Sequence, residues 1–142
     1  MAKIRAMIGI GGSQPTETVL WTNPSPTADF ESQPVNLTKN GVAESIQNYD
    51  YIKVTYKFSK SDADSTAVSA LMSVADFTYC TNDSTARKPK FVMGAKLDNY
   101  SNARFVFYAT DTTVKFGSSA RCNQSGFNAA YVTPLKIIGV KL

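Results

Sequence analysis

The chain contains no histidine. That excludes Ser-His-Asp and Cys-His catalysis and the histidine-based zinc sites. Its two cysteines, Cys80 and Cys122, stand 122 − 80 = 42 positions apart, and no C-x-x-C occurs. The spacing allows one disulfide, but two separate buried thiols are the favoured reading. Charge is scarce: 18% of residues are Asp, Glu, Lys or Arg, against roughly 25% in an ordinary domain. No apolar run approaches the roughly 20 residues of a membrane-spanning helix, so no membrane insertion is expected. The segment MAKIRAMIGIGG has Lys3 and Arg5 before an apolar patch, but Gly9, Gly11 and Gly12 interrupt it. No small-residue cleavage site follows, so a secretory signal is not expected. Phosphate-loop and dinucleotide fingerprints are also missing.

What is present is a globular composition, with 43% hydrophobic residues in a chain of 142. That length suits one domain with its own core. With few charges, the polar surface must be built from Ser, Thr and Asn, which suits turn-rich β-proteins. The net charge is +4. Its lysines and arginines are scattered apart from Arg87-Lys88-Pro89-Lys90, and no RNA- or DNA-binding motif accompanies them. No nucleic-acid partner is expected.

Alternation of period two dominates. Ile4, Ala6, Ile8 and Ile10 share one face of a short N-terminal strand, before the glycine hinge GIGGSQP. Residues 1–14 therefore read as an arm, and 15–142 as the domain. The arm is either an edge strand of the domain or a strand lent to a neighbour. ETVLWT and QPVNLT are further strands, and Asn40-Gly41 is a hairpin turn. AESIQN is a loop or helical turn. NYDYIKVTYKFSK is the clearest strand: Ile52, Val54, Tyr56 and Phe58 face inward, and Tyr51, Lys53, Thr55 and Lys57 face solvent. STAVSALMSVADFTYC fits both periods and is read as strand. KPKFVMGAKL, ARFVFYAT, DTTVKFGSSA and PLKIIGVKL complete the series, with a tight Asp111-Thr112 turn. Strands recurring every 8–12 or so residues point to an all-β fold, an antiparallel β-sandwich of jelly-roll type.

One stretch resists this alternation. LWTNPSPTADFESQPVNL, residues 20–37, holds three of the six prolines and the only tryptophan. Pro24 and Pro26 cannot pair in a central strand, so they mark an extended crossing. Leu20, Trp21 and Phe30 are expected in the core, and Val35 and Leu37 in the next strand. Trp21→Ala should then cost about 3–5 kcal/mol.

Catalytic chemistry finds little support. Glu17, Glu31, Glu44, Asp98 and Asp111 offer carboxylates, but acids at strand turns are mostly turn formers. Asp62 and Asp64 share the spacing of a calcium loop but lack its glycine and terminal glutamate. The reading is of no enzyme, no metal and no cofactor. Surface remains. Alternating phenylalanines are assigned to the core, whereas Tyr49, Tyr51, Tyr79, Tyr100 and Tyr131 flank loops or face away from the apolar row. Tyr79, Tyr100, Tyr131 and Asn123 are the candidate surface or interface residues, beside outward loops at 78–90 and 118–130. Ile4, Ile8 and Ile10 are the candidate anchoring residues. Such rings can stack on sugars or fill a subunit interface, and the interface is favoured.

LWTNPSPTADFESQPVNL, NYDYIKVTYKFS, ARFVFYATDTTVKF and the closing PLKIIGVKL together resemble small bacteriophage virion proteins. The likeness is to C-terminal modules of tail-fibre and baseplate, receptor-binding, proteins in phages of Gram-positive and gut bacteria. It spans about Thr18 to Leu142. Such modules usually end a long polypeptide, whereas this chain starts at Met1. The resemblance implies a β-sandwich, often a homotrimer, made in the host cytoplasm and displayed on the virion. Its job would be host-surface attachment or capsid decoration. Its partners would be its own copies, other virion proteins through residues 1–14, and a host cell-surface glycan. The alternatives are a monomeric carbohydrate-binding module and, less favoured, a glycan-degrading enzyme.

Overall fold

A computed structural model of the chain describes residues 14–82, 89–97, 100–122 and 128–142, without the side chains of Leu97, Tyr100 and Cys122. The expected N-terminal strand with Ile4, Ile8 and Ile10 lies outside the described residues, as does Asn123. The strands run β1 (Thr16–Thr22), β2 (Gln33–Asn36), β3 (Thr38–Lys39), β4 (Val42–Ala43), β5 (Tyr51–Ser59), β6 (Val68–Ser73), β7 (Phe91–Leu97), β8 (Tyr100–Thr110), β9 (Thr113–Phe116), β10 (Ala120–Cys122) and β11 (Tyr131–Lys141). One four-residue helix, α1 (Val74–Phe77), follows β6 directly.

Two antiparallel sheets face each other. The first runs β1-β11-β5-β6. In the second, β8 is central. Its Ala103 pairs with Gly94 of β7 on one side and Ala120 of β10 on the other, and its Val106 pairs with Phe91 and with Phe116 of β9. β9 and β10 therefore lie on the same side of β8, as one strand interrupted at residues 117–119, and β2 flanks β9. The first strand pairs with the last, and β2 with β9, the strand that β10 continues, the nesting of a jelly roll. The inner strands instead form a hairpin, β5-β6, and a meander, β7-β8-β9.

The core lies between the sheets. Ile52, Val54 and Tyr56 of β5 meet Phe91 and Met93 of β7, Val106 of β8, Val114 and Phe116 of β9 and Ile137 of β11. Phe30 is buried and joins Trp21 and Phe116 in an aromatic cluster with centroids 5.4–5.9 Å apart. Leu20, Val35 and Leu37 are buried as expected, while Trp21 is only half-buried. The chain between them crosses from one sheet to the other, held where Asn23 donates to the Pro134 carbonyl at 2.8 Å. The Asn40-Gly41 turn has φ 52° and 78°, the left-handed pair that a two-residue hairpin demands.

Four expectations need correcting. Lys57 does not face solvent: it is wholly buried, donating to Asp64 Oδ1 and the Asp62 carbonyl at 3.0 Å each. The polar turn folds over it, because a buried ammonium must be paired. Tyr49 is buried, its ring lying flat on Gly139, where any Cβ would sit 2.6 Å from ring atoms. Residues 68–77 are not one strand. They run as strand to Ser73, whose hydroxyl accepts from Asp76 N–H and caps the helix. Lastly, not every alternating phenylalanine is core, because Phe105 is 41% exposed.

Candidate functional site

The expected tyrosines do not assemble a site. Tyr79 sits just past α1 and is 64% exposed. Tyr131 opens β11, half-buried against the core, with its carbonyl accepting from Arg104. Tyr100 begins β8, paired in backbone register with Leu97. Among the described residues, no ring contact or hydrogen bond joins Tyr79 to Tyr131. Of the two outward loops, Cys80 and Ser119 are buried.

The apolar feature that remains open lies on the outer face of the second sheet. Strand β8 alternates. Asn102, Arg104 and Val106 point inward, so Phe105 and Phe107 lie on the outer side, where Phe105 is 41% exposed while Phe107 is covered. Val92 of β7 stands opposite Phe105 and is 43% exposed. Lys115 of β9 stands opposite Phe107, and Pro34 of β2 opposite Lys115. The two rings lie 6.0 Å apart, tilted by 51°. Lys90 Nζ lies 5.8 Å from both ring centroids, within the reach of a cation–π contact. Beside the rings runs a groove of about 310 Å³, lined also by Ser32, Asn82, Lys115, Gly117, Ser118 and Ala120.

The face is supported from within. Gly117 breaks the β9–β10 strand, and a Cβ there would approach Phe107 Cε2 to 3.3 Å. A bare backbone lets the ring settle. Arg104, fully buried behind it, donates from Nη1 to the Gly117 carbonyl at 2.7 Å. Its Nε and Nη2 reach the Val132 and Tyr131 carbonyls at 2.8 and 3.0 Å. Its guanidinium lies 5.2 Å from the Phe30 ring centroid. Burial lowers its pKa to about 10, so it remains charged at neutral pH. Val132 has φ 51°, a left-handed backbone that costs a β-branched residue about 1–3 kcal/mol. Arg104 thus holds the strained start of β11 and the floor of the groove together.

Chemically, the face offers apolar contact, two amines and a few hydroxyl and amide groups. The thiol of Cys80 is free and buried, 3.5 Å from Met72 Sδ, and burial pushes its pKa up, which disfavours the reactive thiolate. Asp62 accepts from the Ser59 N–H, and Asp64 is taken by Lys57. Among the described residues, no three His, Cys, Asp or Glu side chains are grouped to hold a metal ion.

Sequence reasoning placed Phe105 and Phe107 in the core; Phe107 is buried, but Phe105 is exposed, and the outer face it marks was missed. A signal was present in RFVFY, where both registers of one strand are bulky. A sheet in a two-layer sandwich covers only one of its faces. No protein-family model, curated protein or solved structure matches the chain.

Proposed function

We propose that this chain is a non-enzymatic structural protein of a bacteriophage particle. It is a β-sandwich displayed on the virion that joins its own copies, for host-surface attachment at a tail fibre or baseplate or for capsid decoration. The observation that carries the reading is the exposed Val92–Phe105 pair, with the covered Phe107 ring beside it. A contiguous exposed apolar patch with a polar rim marks an interaction surface. The virion context rests on the likeness of residues 20–37, 48–59 and 134–142 to phage tail modules.

In this reading the aromatic face is covered by another copy or by a virion neighbour, and residues 1–14 tether the domain. Surfaces left open at the loops meet the host. Each copy then needs only weak affinity, because several act together. Light scattering on the full chain tests it. The parent should run as an oligomer, and Val92→Ser with Phe105→Ser should reduce its mass. A parent that stays monomeric at high concentration and is not found in purified particles overturns the proposal.

A carbohydrate-binding module is the second reading. It is favoured by the hydroxyl and amide groups of Ser32, Asn82 and Ser118 beside the rings. The 51° tilt weighs against it, since flat sugar stacking needs a level platform. A glycan array with a hit lost in Phe105→Ala would promote this reading over the first.

A further inference from the structure

We infer that the free edge of β6 is a pairing surface for a second copy of this chain. Among the described residues, the edge strands include β1 and β6 in one sheet and β2 and β7 in the other. Open edges invite other strands, and proteins blunt them with charge, proline, bulges or cover. Three of these edges carry such devices. β1 holds Glu17 and a register break between Val19 and Trp21. β2 is four residues long, and Pro34 has no N–H to offer. β7 is filled at its middle: the Tyr56 hydroxyl donates to the Gly94 carbonyl at 2.7 Å and accepts from the Gly94 N–H at 3.2 Å.

β6 carries none of them. Its sequence VSALMS has no charge and no proline, and its register against β5 is unbroken from Tyr51↔Ser73 to Tyr56↔Val68. Among the described residues, nothing pairs with its outer edge. Val68 is 38% and Leu71 59% exposed.

The occupant is a second β6, related by a two-fold axis through Leu71. The outward side chains read Ser69, Leu71, Ser73, the same in both directions. An antiparallel pair centred on Leu71 therefore sets Leu71 against its own copy and Ser69 against Ser73 of the partner subunit. A two-fold contact brings each residue near its equivalents, so charge there would repel. An uncharged strand in a protein of net charge +4 meets that condition. The first sheets of two copies would then run on as one. The pairing names a contact for the self-association proposed above and rests on that reading. An isologous edge joins copies in twos, alone or between larger rings.

Site-directed cross-linking tests it in the full chain. Cys122→Ser is made first, to leave the buried Cys80 as the sole native thiol. On mild oxidation Leu71→Cys should give a covalent dimer. Val42→Cys, at an exposed site on the β3–β4 hairpin, should not. Leu71→Lys should lower the mass in light scattering while leaving the melting temperature unchanged. Leu71→Cys that cross-links no faster than Val42→Cys, with an unchanged mass in Leu71→Lys, overturns the inference. Preferential cross-linking of Leu71→Cys to Ile8→Cys in a mixture also overturns it, giving the edge to the N-terminal residues. If Leu71→Lys stays oligomeric while Phe105→Ser does not, the edge fails and self-association stands. A monomeric parent removes both.

Discussion

The two sheets alternate alike but present different outer faces. On the first sheet, rows across the strands interleave polar and apolar residues. Glu17, Val140, Tyr51 and Ser73 form one row, and Val19, Ile138, Lys53 and Leu71 the next. Lys53 bonds Glu17 at 2.6 Å, and Thr55 and Ser69 share a 3.2 Å hydrogen bond. Ile138 and Val140 are nonetheless buried on this face. On the second sheet, Val92, Phe105 and Phe107 are contiguous, and the polar groups form a rim. The difference lies in how residue types fall across strands, not along them. An interleaved face satisfies itself in water, whereas a contiguous one calls for a covering surface.

The largest predicted break in this comparison comes from beneath the second face. Arg104→Met keeps much of the volume but leaves the Gly117, Tyr131 and Val132 carbonyls without their donor. Buried acceptors left open cost about 1–3 kcal/mol each. A loss of at least about 3 kcal/mol is expected, near 10 °C in thermal melting. A fall of only a degree or two would mean that Arg104 does not hold the floor. Trp21→Ala comes next. Trp21 is half-buried, its ring packed edge-on and tilted at 5.5–5.9 Å against Phe30 and Phe116. Its cost should fall below the roughly 3–5 kcal/mol of a fully enclosed aromatic. Chemical denaturation measures it, and a loss inside that range would place Trp21 in the closed core.

The legible parts of the fold follow from period. β5, β9 and the Asn40-Gly41 hairpin could be read because alternation and turn chemistry are local. Which face of a strand is covered is not local. Lys57 looked solvated because its cover, the turn holding Asp62 and Asp64, comes from a fold-back that alternation cannot reveal. Tyr49 looked peripheral because its socket is Gly139, 90 positions away in sequence and absent as a side chain. Residues 68–77 fit both periods, and the chain uses each in turn, switching at the Ser73 cap. The candidate site was the least legible part. Phe105 and Phe107 carry a core signature, and only the pairing of β8 shows them facing outward.

Alkaline pH offers a smaller effect. Burial, then the 2.6 Å hydrogen bond to Glu44, raises the Tyr49 pKa above 10.0. The unfolded chain loses this proton first, so the stabilisation is whole below pH 10 and fades as pH climbs through the raised value. The hydrogen bond to Asp111 raises Tyr108 in the same direction. Arg104, lowered to about 10, pulls the opposite way above that pH. The readable quantity is therefore parent against Tyr49→Phe. Melting temperatures from pH 8 to 11 should fall less steeply above 10 in the variant, and parallel curves would refute the assignment.

The smallest stability effects separate the two faces most directly. Glu17→Gln removes an ion pair whose partners are 24% and 51% exposed. Such pairs are worth about 0–1 kcal/mol, and salt screens them. Phe105→Ser removes a ring already 41% in solvent and should cost about 1–2 kcal/mol. Melting would therefore separate the two variants by little. Association should: Glu17→Gln retains the parent's mass in light scattering, and Phe105→Ser loses it. Equal masses in the two variants would mean that the contiguous face stays uncovered in solution. The contrast between the sheets would then be one of composition without consequence for assembly.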